Sequence, residues 1–380
     1  MRKFSLVFLV LYTTLSFAQV LSHKVESSKT YSQADGLVYA LPKVVLRLDV
    51  WVEKTEYIKG PYAYYAERLL GLTDVISKNS VSYAISDIKI TKSYVPDVDQ
   101  LYFMDFGSTS NKSGDAVFLK MNESGIFNGL SIEDESGEYE DEVNMVERIE
   151  KGSRAFKYYA DANLVEKVDT IIRRVDIDTA TIEKAIIKRS SIEKDMSQRA
   201  QDAATYYMEV RQNRVELISG FQEVAYSLGA LTLMNNELKQ LENDYLNLFA
   251  GKTLLTDEHF VFYFTPSAEQ SNIIAPIFKF SKEYGLTYLT SSGGEKVSIA
   301  IKSNGLAEKL SDMDLSSNVN GIAYRFPETA EVWVKYSAQE YDKQLMQIPQ
   351  LGRLQVLNPK QNVFELYPTS GGVKMIELKK

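Results

Sequence analysis

The sequence predicts a β-rich α+β fold: an N-terminal mixed α+β domain, a central antiparallel helical hairpin, and a C-terminal β-sandwich or barrel-like domain. Three observations carry this. From Val44 to Tyr57 apolar residues alternate, with Val44, Leu46, Leu48, Val50 and Val52 on one face and Val45, Arg47, Asp49, Trp51 and Glu53 on the other. That period of two is the mark of a half-buried strand. Between Ser190 and Gly251 two apolar seams recur at spacings of three and four, the mark of paired helices. Beyond Lys252, short apolar runs are separated by Pro, Gly, Asn and Ser, as in all-β domains.

The first eighteen residues set the compartment. Arg2 and Lys3 precede an apolar run from Phe4 to Leu15, and Ser16-Phe17-Ala18 offers small residues where a signal peptidase cuts. The reading is a signal peptide over 1–18 and an exported chain, in the periplasm or associated with the outer membrane. The run is too short for a permanent span, and no later run approaches that length, so no integral membrane span is expected after cleavage. Residues 19–35 are polar and aperiodic and read as a flexible leader.

The N-terminal domain is placed at 36–189. Gly36 to Leu41 reads as a short strand ending at Pro42, ahead of the long strand. Gly60-Pro61 breaks that strand. Pro61 suits a first helical turn, and Tyr62 to Leu70 continues at helical spacing towards a left-handed cap at Gly71. Strands are expected at Val81–Thr91, Leu101–Phe106, Ala116–Met121, Ile126–Ile132, Glu166–Asp176 and Thr181–Lys188. Seven carboxylates crowd Glu133 to Glu142, which reads as a solvated loop because their positions miss the EF-hand register.

The hairpin is placed at 190–252. Ser190 and Glu193 have capping-box spacing. Met196, Ala200, Ala203, Tyr207, Val210 and Leu217 then form one seam, interrupted by Arg214, and Leu231, Met234, Leu238, Leu241, Tyr245 and Leu248 the second. The C-terminal domain, 253–380, is expected to hold ten strands, from His259–Thr265 to Val373–Leu378, with separate strands on either side of Pro327 and of Pro349.

Chemistry-bearing motifs are sparse. The chain has no cysteine, so it forms no disulfide and takes no lipid anchor through one. The net charge of −8, which becomes −10 once the signal is removed, disfavours nucleic acid as a partner. There are two histidines: His23 in the leader and His259 at a strand start, which reads as a surface or strand-end residue. No metal site and no cofactor are expected. Gly251-Lys252-Thr253 fails as a phosphate loop, because Leu246 stands where glycine is needed. Ser191-Ile192-Glu193-Lys194 lacks the companion elements of a serine acyl-enzyme. Asp176-Ile177-Asp178 has paired acids but follows Arg173-Arg174 instead of an apolar run. The candidate contact residues are Arg211 and Arg214 on the hairpin, which can take carboxylates bidentately, and Tyr62 and Tyr64 on the first helix.

Several blocks together resemble a known family. They are Gly36-Leu37-Val38-Tyr39-Ala40-Leu41-Pro42-Lys43, Lys59-Gly60-Pro61-Tyr62 running to Leu70-Gly71-Leu72, and Asp169-Thr170-Ile171-Ile172-Arg173-Arg174. Arg211-Gln212-Asn213-Arg214, Leu241-Glu242-Asn243-Asp244-Tyr245-Leu246, Gly321-Ile322-Ala323-Tyr324-Arg325-Phe326-Pro327 and Gln350-Leu351-Gly352-Arg353 follow. The chain thus resembles the exported bacterial family of domain of unknown function 4831 over nearly its whole mature length. It departs at Leu351, where Phe is expected, and at Asn358, where Pro is expected. The resemblance implies the envelope of a two-membrane bacterium and brings no activity, cofactor or catalytic residue. The expectation is a non-catalytic binding or scaffolding component, partnered by an envelope protein or glycan. The alternatives are a hydrolase of envelope glycans or peptides working through carboxylates such as Asp176 and Asp178, and a carbohydrate- or small-ligand-binding module.

Overall fold

The computed structural model describes residues 21–26, 30–31, 36–105, 118–122, 124–131, 149–157, 164–177, 180–220, 226–268, 272–313, 319–358 and 362–378. Residues 1–18, expected from the sequence to be a signal peptide, the acidic run 133–142 and Asp178 lie outside them. The elements in order are β1 (Leu21–Lys24), β2 (Gly36–Ile58), a 3-10 turn (Ala63–Tyr65), α1 (Ala66–Leu70), β3 (Ser80–Asp105), β4 (Phe118–Met121), β5 (Phe127–Ser131) and β6 (Ile149–Lys151). β7 (Leu164–Ile177), β8 (Ala180–Glu193), α2 (Met196–Ser219), α3 (Leu228–Ala250), β9 (Lys252–Phe264), β10 (Asn272–Ser281), β11 (Gly285–Thr287) and β12 (Glu295–Ser303) follow. After a short 3-10 turn (Ala307–Lys309) come β13 (Val319–Asn320), β14 (Ile322–Tyr336), β15 (Gln339–Leu357), β16 (Asn362–Leu366) and β17 (Val373–Leu378). The fold is α+β and β-rich, with a helical pair.

Four sheets form, in the orders β13-β1-β3-β2-β9-β6, β11-β10-β12-β14-β15, β17-β16-β5-β4 and β7-β8. The chain divides into two compact units. Unit 1 comprises Met1–Trp51, Ile85–Val146 and His259–Lys380, and unit 2 comprises Val52–Ala84 and Glu147–Glu258. Three of the boundaries fall inside β2, β3 and β9. Five C-terminal strands, β11-β10-β12-β14-β15, form a sheet of their own, whereas β16 pairs with β5 through Phe364 opposite Leu130.

The alternation read in β2 is realised: Val44, Leu46, Leu48, Val50 and Val52 are all buried, each worth about 1.5–3 kcal/mol on burial. The leader differs from expectation. Leu21–Lys24 is a strand paired on both sides, with β3 and with β13, and the buried Ser22 hydroxyl donates to the Gly321 carbonyl.

Expected strand breaks at proline are the main correction. β2 runs through Pro42, β3 through Pro96, β14 through Pro327 and β15 through Pro349, so four pairs of short expected strands are four long ones. A bulge explains the β14–β15 case. Phe326 pairs with Arg353 and Glu328 with Ile348, so Pro327 faces an excursion of residues 349–352, where a missing N–H breaks no ladder bond. Gly352 is needed there, since a Cβ would sit 2.0 Å from the Phe326 carbonyl oxygen. The excursion turns Gln350 inward, and its amide accepts from Val44 N–H at 2.9 Å and donates to Val44 C=O at 2.8 Å. The side chain thus takes a strand's place beside β2.

Unit 1 also buries an ion pair. Arg325 on β14 directs Nη1 and Nη2 at Asp97 Oδ2, 3.4 and 3.3 Å away, and Nη1 lies 3.4 Å from the Pro42 carbonyl. Lys43 adds a contact of 3.8 Å to the same carboxylate. A core of Tyr39, Leu41, Tyr102, Met104, Phe127, Ile322, Ala323, Phe364 and Leu366 packs in this unit. Burial pushes the Tyr102 hydroxyl up to about 12, so it stays protonated.

Candidate functional site

Unit 2 holds both candidate sites. The first is the helical pair. α2 begins later than expected: β8 continues to Glu193, and the capping box is Asp195 with Gln198 instead of Ser190 with Glu193. The Asp195 carboxylate accepts from Gln198 N–H at 2.8 Å, and the Gln198 side chain accepts from Asp195 N–H at 3.0 Å. α3 is capped by Ser227, which accepts from Ala230 N–H. On the inner face, Ala200, Ala203, Ala204 and Tyr207 of α2 pack with Tyr245, Leu248 and Phe249 of α3. Small residues on one helix leave space for large ones on the other, which is how close packing is reached.

Arg214 interrupts the α2 seam because its counterion stands on the facing helix: Nε lies 2.6 Å from Glu242 Oε2. That pair holds the hairpin's register and is engaged in structure. Arg211 is exposed. Tyr62 is in the core, 5% exposed, tilted against Phe249 with ring centres 5.6 Å apart. Its backbone N–H bonds to the Leu248 carbonyl. Tyr64, 86% exposed, stands edge-on to Tyr65. Gly71 supplies the left-handed cap of α1 at φ 67 as expected. The four residues named from the sequence therefore do not form one site. Two are structural, and Arg211 and Tyr64 are surface groups on separate elements.

What α2 does carry outside its seam is apolar. Met208, Val215 and Ile218 are all substantially exposed. With Arg211 they follow the spacing i, i+3, i+7, i+10, which lines one stripe along the flank of the buried face. Leu228, at the start of α3, is 82% exposed.

The second candidate is a polar cleft of about 300 Å³ lined by Glu56, Gly152, Ser153, Arg154, Ala155, Leu254 and Thr256. β2 delivers Glu56 and β9 delivers Leu254 and Thr256, while residues 152–155 come from the loop after β6. Arg154 Nε and Nη2 lie 3.0 and 2.7 Å from Glu56 Oε2 and Oε1, a two-pronged ion pair. Lys54 Nζ is 2.6 Å from Oε1. The hydrogen bond from Arg154 above all, then that from Lys54, holds the Glu56 carboxyl below the usual carboxylate range. The bond that Lys54 donates to Glu56 in turn raises Lys54. Nothing in the sequence joins Glu56 to Arg154. They lie 98 positions apart and meet only in the fold.

In unit 1, His259 is not at a strand end. It lies within β9 with Nε2 2.8 Å from Asp49 Oδ1, and Trp51 stacks on its ring at 4.8 Å. Asp49 Oδ1 also accepts from Arg47, so one carboxylate oxygen serves both partners. Among the described residues no group of three or more His, Asp or Glu converges to hold a metal ion. Asp176 sits on β7 opposite Thr181, and Asp178 lies outside the described residues.

The structure defines a β-rich α+β protein with a helical pair and a small polar cleft. The chain belongs to the family described as domain of unknown function (DUF4831), which it matches over residues 35–369. No curated protein and no solved structure matches it. No helix among the described residues is long and apolar enough to cross a membrane.

Proposed function

We propose that this protein is a non-catalytic binding or scaffolding component of the bacterial envelope, exported to the periplasm or the outer-membrane face, and that the helical pair is its docking element. The observation that carries the reading is the exposed stripe of Met208, Val215 and Ile218 beside an already filled seam. A helix that has satisfied its own core and still presents apolar residues at helical spacing has a second face to cover. The occupant is an envelope protein that offers an apolar groove and a carboxylate for Arg211. Export is supported by the charged, apolar and small-residue segments of 1–18.

The test places a photo-cross-linking residue at Val215 or, as control, at the exposed Glu209, in intact cells. A single protein adduct formed from 215 and not from 209, and lost on Ile218→Lys with unchanged melting, supports the reading. Equal adducts from both positions, or none, overturn it. Fractionation checks location: the chain should be recovered from periplasm or outer membrane with Gln19 as its first residue.

A further inference from the structure

The sheet β11-β10-β12-β14-β15 of unit 1 buries one face and leaves the other in solvent. Ile273, Val297, Ile299, Ile301, Val332 and Val334 turn inward and are buried. The alternate positions form the outer face. There Ile274, Ala300 and Trp333 stand in one row across three strands, and Lys302, Glu331 and Leu345 in the next. Ile274 is 77% exposed and Leu345 63%, so aliphatic side chains project into water from this face.

The same face is cationic. By the register its charged residues are Lys279, Lys296, Lys302, Lys335 and Lys343, against Glu331 and Glu340. The other charges of the five strands do not offset them. Glu295 and Glu328 fall in the register of the buried face. Asp342 accepts from the Ile90 N–H and the Gln344 amide. Arg325 and Arg353 are paired with Asp97 and Asp312. In the flanking turns Lys282 stands with Glu283 and Glu308 with Lys309, which cancel. Lys279 lies directly opposite Lys296, with Lys335 a diagonal position away. Like charges so placed destabilise a sheet, and an external anion relieves them. This happens in a chain whose net charge is −8. The shape of the face selects the anion. Lys343 Nζ lies 4.9 Å from the Trp333 ring centre and bonds to Glu331, so it occupies the ring face that a sugar would need. Lysine stems alternating with bare aliphatic side chains, on a sheet about 20 Å wide, match a lipid surface with anionic headgroups.

We propose that the outer face of this sheet docks peripherally on an anionic lipid surface, with its lysines at the headgroups and Ile274 and Leu345 entering the acyl boundary. The face shares no residue with the α2 stripe, so its failure leaves the docking proposal standing, and the reverse holds.

The test floats the purified full chain at low ionic strength with vesicles of phosphatidylcholine alone, or of phosphatidylcholine and phosphatidylglycerol in equal parts. Binding to the anionic vesicles should be about tenfold stronger or more, and high salt should weaken it. Lys296→Glu with Lys335→Glu, both at exposed positions, should weaken it about tenfold. Lys59→Glu with Lys78→Glu makes the same charge change at exposed positions of unit 2 and should leave binding within about threefold. Ile274→Ser with Leu345→Ser should weaken binding about threefold or more at an unchanged melting temperature, an effect that adhesion by charge alone does not show. The proposal is overturned if both vesicle types hold the chain equally or neither holds it. It is also overturned if the two lysine pairs matter equally, or if the serine variant binds unchanged. Retention on immobilised polyglutamate by a chain that the vesicles do not hold overturns it as well, in favour of an acidic protein.

Discussion

Two arginine–carboxylate pairs show how burial separates architecture from accessible chemistry. In unit 1, the Arg325 and Asp97 side chains are 5% and 9% exposed. Both partners are out of water, neighbouring groups fill the remaining contacts, and the pair's bonds at 3.3–3.4 Å are long for charged partners. In unit 2, Arg154 and Glu56 meet at 2.7 and 3.0 Å, with only the carboxylate buried. The first pair has paid desolvation twice and anchors β14 to β3. The second has left its cation in solvent. The same two functional groups thus form a fully buried joint in one place and a solvent-facing pair in the other.

The largest effect that would break this contrast sits beside the buried pair. Gly352→Ala puts a methyl group into the Phe326 carbonyl, and a loss of about 4 kcal/mol or more is expected in urea unfolding. A loss under about 1 kcal/mol would show that the bulge yields. Next, Arg325→Met leaves the buried Asp97 with only the longer contact to Lys43 as a charged partner and should cost about 3–5 kcal/mol, most of it recovered when Asp97→Leu is added. If the double variant is no better than the single, the pair is contributing net stability. Gln350→Leu removes the two bonds to Val44 and should cost about 2 kcal/mol. The smallest effect belongs to unit 2: Arg154→Gln should change stability by less than about 1 kcal/mol, since the guanidinium is mostly exposed.

The pH dependence sharpens the same comparison. Glu56 is depressed in the folded state, so its contribution is complete above its unfolded value near ~4.3 and is lost as pH falls through the lower folded value. Lys54 is raised, so its contribution is complete below about 10.4 and is lost as pH rises through the higher folded value. The melting difference between wild type and Glu56→Gln should therefore be flat across neutral pH and shrink in acid below about pH 4. A difference that persists undiminished at pH 2 would contradict the assignment.

Much of the local structure was legible because it depends on neighbours in sequence. The β2 alternation, the two helical seams and the Gly71 cap needed only spacing. Arg214 was legible as an anomaly on an apolar seam, although its partner Glu242 was not. What failed was punctuation. Proline ends a strand only where its missing N–H would be used, and Pro327 faces a bulge that takes that demand away. Ser190 had the spacing of a cap, but the β7–β8 ladder holds it opposite Lys167, and Asp195, two residues beyond the end of β8, caps the helix. The cleft was illegible for a different reason: Glu56, Arg154 and Thr256 come from three distant stretches with no shared motif, and only the fold assembles them.

β1 sets an order of events. Its neighbours are residues 102–105 on one side and 319–320 on the other. The Ser22 hydroxyl waits for the carbonyl of a residue 299 positions away. Such a seam closes late, because distant loops must be brought together before it rewards them. During synthesis the first strand has no complete berth until nearly the whole polypeptide exists.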